Sequence, residues 1–62
     1  MIILHRINGE EFLLNSNHIE IIEEKPDTVI TLTNEKKYLV KESINEIIEE
    51  IRIYQRSILY KD

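Results

Sequence analysis

The chain of 62 residues contains no cysteine, a single glycine and a single proline. Without cysteine, neither a disulfide framework nor a thiolate metal site can form. The one glycine, Gly9, excludes a glycine-rich phosphate-binding loop, which needs several glycines at fixed spacing. A chain this short buries only about 60% of its unfolded surface, and such small cores usually need a further source of stability. We therefore expect the chain to associate with copies of itself.

Long apolar runs and an excess of basic charge are also lacking. No uninterrupted apolar run exceeds four residues, whereas a transmembrane helix needs about 20 and a secretory signal needs about 7–15. Neither is indicated, so we expect a cytoplasmic protein without membrane insertion.

Eight Lys and Arg against twelve Asp and Glu give a net charge of −4. This balance disfavours a nucleic-acid partner, because affinity for phosphates comes mainly from clustered basic groups.

The first two predicted strands, within residues 2–14, are joined by Asn8-Gly9, the strongest two-residue hairpin signal. A type I′ turn at this pair places Leu4 opposite Leu13. Because side chains alternate along a strand, Ile2, Leu4 and Leu13 then share one face. The opposite face is also partly apolar, which a sheet with one solvated face does not require. We therefore predict that Ile2, Leu4 and Leu13 contribute to an interface with another chain.

Three further short segments are typical of strands. The clearest alternates with a period of two and is rich in Thr and β-branched residues. A tight turn at Asn34-Glu35 would place Thr31 opposite Tyr38 in the last hairpin. The three segments are residues 19–24, 28–33 and 36–41.

Residues 43–60 predict one amphipathic helix. Ser43 and Glu46 have the S-x-x-E spacing of a capping box, in which each side chain bonds the other residue's backbone N–H. Ile53 and Tyr60 lie on the back of this helix, one heptad apart, and we predict that they make a second contact. Strands followed by a helix indicate an α+β fold of antiparallel β-hairpins, about five short strands, and one C-terminal amphipathic helix. The apolar stripe that should cover the sheet consists of Ile44, Ile47, Ile48, Ile51, Tyr54, Ile58 and Leu59.

Residue types with catalytic or metal-binding chemistry are present, but without the spacing that such chemistry needs. The only histidines, His5 and His18, match no pattern of metal ligands. The serines lack a nucleophile motif, and the many carboxylates lie on short strands beside turns, where solvation explains them. We expect no enzyme activity, no catalytic residues, no bound metal or cofactor and no small-molecule substrate.

Several segments together are similar to a known family. They are Arg6–Asn15, Pro26–Asn34 and Lys36–Ser43, followed by the isoleucine-rich helix. On these segments the chain resembles the small flagellar FlbD family, also called SwrD-type motility proteins, over nearly all of residues 1–62, as a single domain. The resemblance implies an accessory role in bacterial flagellar motility and swarming, supporting the flagellar motor through protein–protein contacts. It attaches no catalytic residues.

One position departs from the family pattern. The family tends to have glycine after Asn34, whereas this chain has Glu35. In a type I′ turn Glu35 would take a positive φ, at a cost of about 1 kcal/mol relative to glycine.

A second function remains open from the residues, namely a small β-rich oligomeric regulator that binds nucleic acid. The acidic balance disfavours it. So does the scarcity of aromatic residues for stacking, since Phe12 and Tyr38 are the only ones in the predicted strands.

Overall fold

A computed structural model describes the backbone of residues 1–59 and the side chains of residues 1–57. Five strands precede one helix, which confirms the predicted α+β arrangement. A short 3₁₀ turn, Ser16–His18, joins the second strand to the third. In chain order the elements are β1 (Ile2–His5), β2 (Glu11–Leu14), β3 (Ile19–Glu24), β4 (Thr28–Leu32), β5 (Lys37–Val40) and α1 (Ile44–Leu59).

The strands form two antiparallel sheets, a β1–β2 hairpin and a β3–β4–β5 meander. The two sheets meet where β1 and β5 end. Arg6 pairs with Val40 in an isolated antiparallel bridge, and the backbone N–H of Lys41 donates to the carbonyl of His5 at 2.9 Å. This seam positions the first hairpin against the segment that leads into α1.

The first hairpin closes with a different turn from the one predicted. The N–H of Gly9 donates to the carbonyl of Arg6 at 2.8 Å, and the N–H of Arg6 donates to the carbonyl of Glu10 at 2.8 Å. Gly9 takes a positive φ of 92°, but Asn8 does not. These features define a three-residue loop, a type I turn followed by a left-handed residue. The predicted two-residue type I′ turn is therefore wrong.

The longer loop displaces every strand pair by one residue and changes which side chains share a face. Leu4 lies opposite Phe12, and Ile2 lies opposite Leu14. The prediction that Leu13 shares a face with Ile2 and Leu4 is wrong, because a slip of one residue turns a strand's side chains to the other face. Ile2 and Leu4 are core residues with 3% and 0% exposure, whereas Leu13 is 63% exposed on the outer face.

The β4–β5 hairpin repeats the same three-residue loop. The N–H of Glu35 donates to the carbonyl of Leu32 at 2.9 Å, and the N–H of Leu32 donates to the carbonyl of Lys36 at 2.8 Å. Glu35 takes the positive φ expected for it, at 72°, but in this loop rather than in a type I′ turn. The predicted register is again displaced by one residue, so Tyr38 lies opposite Ile30.

The inner faces of both sheets and one residue of α1 enclose the core. Removing apolar surface from water contributes about 25 cal/mol per Å², so these side chains supply most of the stabilisation. Phe12, Ile22 and Tyr38 pack around them, partly buried. The buried core consists of Ile2, Leu4, Leu14, Ile30, Leu32, Val40 and Ile47.

The predicted capping box starts the helix. The N–H of Ser43 donates to Oε1 of Glu46 at 2.9 Å, and the N–H of Glu46 donates to Oγ of Ser43 at 3.2 Å. A third bond ties the helix to the meander, since the N–H of Ile44 donates to Oε1 of Glu24 at 3.0 Å. These bonds satisfy N–H groups that a helix start leaves without partners.

Among the side chains that the structure describes, those of the predicted apolar stripe are buried against the core only in the first half of the helix. Ile58 and Leu59 of the stripe lie outside the described side chains. Ile47 is fully buried and Ile51 is partly buried, but Ile48 and Tyr54 are exposed. A helix of 16 residues is about 24 Å long, whereas a strand of four residues spans only about 13 Å. The helix therefore extends past the sheets, and residues 52–57 are exposed.

Candidate functional site

A groove runs between the outer face of β1 and the side of α1. It consists of two adjoining cavities of about 340 Å³ and 270 Å³, which share Ile3 and Glu50. We call it the β1–α1 groove. The first cavity is lined by Ile3, His5, Glu42, Glu46, Glu49 and Glu50. The second is lined by Ile3, Glu50, Met1, Ile53, Tyr54 and Ser57, with Ile2 beneath them.

The floor of the groove is apolar and open to solvent. Met1, Ile3, Ile53 and Tyr54 line it and are all exposed. Leu13 lies directly opposite Ile3 in the β1–β2 pair and extends this surface onto β2. Contiguous exposed apolar surface of this kind marks contact sites more often than isolated apolar side chains do.

The walls of the groove are acidic. Four carboxylates line the first cavity, and among the residues that the structure describes no Lys or Arg lines either cavity. Glu49 lies 3.4 Å from Nη1 of Arg52, but an exposed ion pair of this type offsets little of the charge. Glu46 also serves the helix cap. The groove therefore combines an apolar floor with a negative potential.

A contact between His5 and Glu42 closes one end of the groove. Oε1 of Glu42 accepts the backbone N–H of His5 at 3.0 Å, and Oε2 lies 2.6 Å from Nδ1 of the same residue. Glu42 precedes the helix cap by one residue. The contact therefore fixes the end of β1 against the start of α1 and sets the spacing of the groove walls.

The two groups shift each other's pKa. The hydrogen bond to Glu42 raises the pKa of His5, against a smaller opposing effect of desolvation, and Glu11 at 3.5 Å from Nε2 adds to the increase. Burial acts to raise the pKa of Glu42, but the hydrogen bonds from the ring and backbone of His5 outweigh it and lower that pKa. The contact therefore favours a protonated imidazole beside an ionised carboxylate.

Comparison with protein families matches residues 1–59 to FlbD, described as flagellar and swarming motility proteins. The chain belongs to the FlbD family. No match was found among curated proteins or among solved structures. The family assigns the chain to flagellar and swarming motility, in agreement with the resemblance on Arg6–Asn15, Pro26–Asn34 and Lys36–Ser43.

The structure brings together two of the predicted interface residues of this FlbD chain. Leu13 and Ile53 are both exposed and lie on either side of Ile3. Ile53 faces β1 rather than the solvent-facing back of the helix. Ile2 and Leu4 are enclosed in the core, with 3% and 0% exposure, whereas Tyr60 lies outside the described residues. An interface role for Leu13 and Ile53 stays a prediction.

Sequence reasoning missed Ile3 and the contact between His5 and Glu42. Ile3 lies opposite the exposed Leu13, a pairing that the predicted register did not give. His5 and Glu42 are 37 residues apart, and no local pattern connects residues across that separation. The one available signal was the position of Glu42 next to the helix cap, where acids are generally favourable.

The aromatic residues of the FlbD strands contact an arginine of the same chain. The guanidinium carbon of Arg6 lies 4.8 Å from the centre of the Phe12 ring and 5.1 Å from that of Tyr38. Nε of Arg6 is 3.1 Å from a carboxylate oxygen of Glu10, at an angle that does not make a hydrogen bond. Cation–π contacts contribute about 0.5–2 kcal/mol. Because the rings already contact Arg6, this arrangement adds no support to the nucleic-acid alternative.

Within the part of the chain that the structure describes, no three His, Asp or Glu side chains are grouped as metal ligands. The described helix is not long and apolar enough to cross a membrane.

Proposed function

We propose that this FlbD-family chain is a non-enzymatic accessory protein of flagellar motility and swarming, of the SwrD type, which supports the flagellar motor by binding another protein in the cytoplasm. The family match supplies the process. The observation that carries the mode of action is the β1–α1 groove, an exposed apolar floor that continues across Leu13, Ile3 and Ile53.

The form of the groove favours binding over catalysis. Sites that act on small molecules are usually enclosed and bury most of the ligand, whereas this groove lies open along the helix. Its one pair of interacting titratable groups, His5 and Glu42, is held by backbone as well as side-chain bonds. That pair joins β1 to the start of α1, which is a structural role.

Self-association is a further part of the proposal. Among the side chains that the structure describes, only seven apolar ones are buried in the core, and small domains commonly gain stability from oligomerisation. β2 and β3 each lie at an edge of their sheet, and an edge strand has backbone groups free to pair with another chain. Sedimentation at micromolar concentration should give a mass above the 7.5 kDa of one chain. A single species of monomer mass would contradict self-association.

Deletion of the gene in a flagellated bacterium tests the proposed function. The deletion strain should assemble flagella but swarm less and generate lower motor torque, and the wild-type chain should restore both. Normal swarming and torque in the deletion strain would contradict the proposal. Loss of the filaments themselves would also contradict it, because that result indicates assembly rather than motor support.

A further inference from the structure

We infer that the β1–α1 groove binds a basic amphipathic helix of a partner protein, with apolar side chains on one face and Lys or Arg beside them. This inference rests on the proposed function and names the chemistry of the partner. The three observations that carry it are the apolar floor, the net negative charge of the walls and the length of the groove.

The floor of the groove requires an apolar face on the partner. Ile3 and Ile53 are both about half exposed and line the same cavity. Amphipathic helices that bind in grooves insert side chains spaced at i, i+3, i+4 and i+7. A partner with apolar residues at that spacing would cover both isoleucines and remove their surface from water.

The walls require positive charge on the partner. Glu46, Glu49 and Glu50 are three and four residues apart on one side of α1, and like charges at this spacing destabilise a helix. The capping box accounts for Glu46, and Arg52 lies near Glu49. Among the described residues no ion pair involves Glu50. Lys or Arg from a partner would relieve this repulsion at the place where the floor binds its apolar face.

The length of the groove sets the size of the partner segment. Along α1 the groove extends from Glu46 to Ser57, which is about 16 Å at the rise of an α-helix. A partner helix of about three turns fits this length. The end of the groove at His5 and Glu42 is closed by their contact.

A second copy of this chain meets these requirements less well than a basic helix, although Arg52 and Arg56 lie on its own helix. Each copy carries a net charge of −4, and its one helix presents Glu46, Glu49 and Glu50 of its own. Two copies meeting at the groove would bring carboxylates together, which disfavours association. The occupant is therefore a different protein.

The test uses the intact chain and two synthetic peptides of about 14 residues, long enough for three helical turns. One peptide has Leu on one face and Lys elsewhere, and the other has Glu in place of every Lys. Backbone amide shifts of the ¹⁵N-labelled chain report binding residue by residue. The Lys peptide should shift the amides of Ile3, His5 and Ile53, whereas the Glu peptide should leave them in place.

Two matched double variants separate the groove from general charge attraction. E49Q/E50Q removes two negative charges from the groove wall, and E20Q/E23Q removes two from β3. The first should weaken the binding of the Lys peptide by about five- to tenfold, which corresponds to two modest charge contacts. The second should change it by less than about twofold, because Glu20 and Glu23 are exposed and line neither cavity, and salt screens exposed charges that do not contact the peptide.

Four results would overturn the inference. They are no binding of the Lys peptide at about 1 mM, equal binding of the Glu peptide, shifts confined to residues outside the groove, and equal weakening by both double variants. The peptide assay does not measure motility. A motility defect in the deletion strain without peptide binding would support the proposed function but reject the basic helix as the partner. Peptide binding without a motility defect would support the basic helix but reject the proposed function.

Discussion

The two tight hairpins of the molecule are built alike but lie in different surroundings. In both, a three-residue loop ends in a left-handed residue, Gly9 in β1–β2 and Glu35 in β4–β5. In both, an asparagine of the loop accepts a backbone N–H two residues on, Asn8 at 2.9 Å and Asn34 at 3.1 Å. The inner faces join one core. The outer face of β1, however, lies beside α1 and forms the groove. The same local unit therefore gains a binding surface only where the tertiary structure places a helix next to it.

The shared core supplies the largest expected effect. Leu4 on β1 and Ile30 on β4 are both fully buried in one cluster. Leu4→Ala and Ile30→Ala should each lower the free energy of unfolding by about 2–5 kcal/mol, because each leaves a cavity. Urea unfolding followed by circular dichroism measures this. A loss below 1 kcal/mol at one site only would show that the two hairpins do not contribute equally to the core.

Substitutions at the left-handed residues of the two loops should change the free energy of unfolding in opposite directions. Glu35→Gly should raise the free energy of unfolding by about 1 kcal/mol, because glycine takes positive φ without the strain that a Cβ causes. Gly9→Ala should lower it by about 1 kcal/mol for the same reason. An added Cβ at Gly9 would meet only Nζ of Lys41, at 3.9 Å, so the cost is conformational rather than steric. If Glu35→Gly were destabilising, the two loops would not be equivalent.

The elements of the fold were more predictable from sequence than the groove on which the proposed function depends. Residues 19–24 were placed correctly as a strand, and the capping box at Ser43 and Glu46 located the helix start, since both signals are local. The registers were wrong because Asn8-Gly9 occurs in loops of two and of three residues, and choosing between them depends on whether Asn8 takes a positive φ. The groove could not be predicted because its walls come from distant parts of the chain.

The contact between His5 and Glu42 distinguishes the first hairpin from the second through its pH dependence. The raised pKa of His5 stabilises the fold at low pH, and this contribution is lost as pH rises through that pKa. The lowered pKa of Glu42 stabilises the fold above the ordinary carboxyl range, and this contribution is lost as pH falls through it. Stability from the pair should therefore be greatest between the two pKa values.

His5→Gln tests that dependence. The free energy of unfolding of the wild-type chain should decrease as pH rises through the pKa of His5. In the variant this part of the decrease should be absent. Urea midpoints measured at intervals from about pH 4 to 9 would show it, with His18→Gln as the matched control at an exposed histidine. Identical profiles for His5→Gln and the wild-type chain would mean that the contact does not contribute to stability.

Two exposed apolar residues, one inside the groove and one outside it, allow function to be compared with little change in stability. Ile53 in the groove and Leu39 on the outer face of β5 are similarly exposed, at 52% and 48%. Ile53→Gln and Leu39→Gln should each alter the free energy of unfolding by about 0.5 kcal/mol or less, as is usual for exposed sites. Circular dichroism and urea unfolding of both purified variants establish that they fold alike before their function is compared.

Motor torque in a deletion strain carrying either variant tests most directly the claim that the protein supports motility through the β1–α1 groove. Leu39→Gln should restore torque and swarming as the wild-type chain does, whereas Ile53→Gln, folded and expressed to the same level, should restore clearly less. Full restoration by Ile53→Gln, or equal failure of both variants, would contradict that claim.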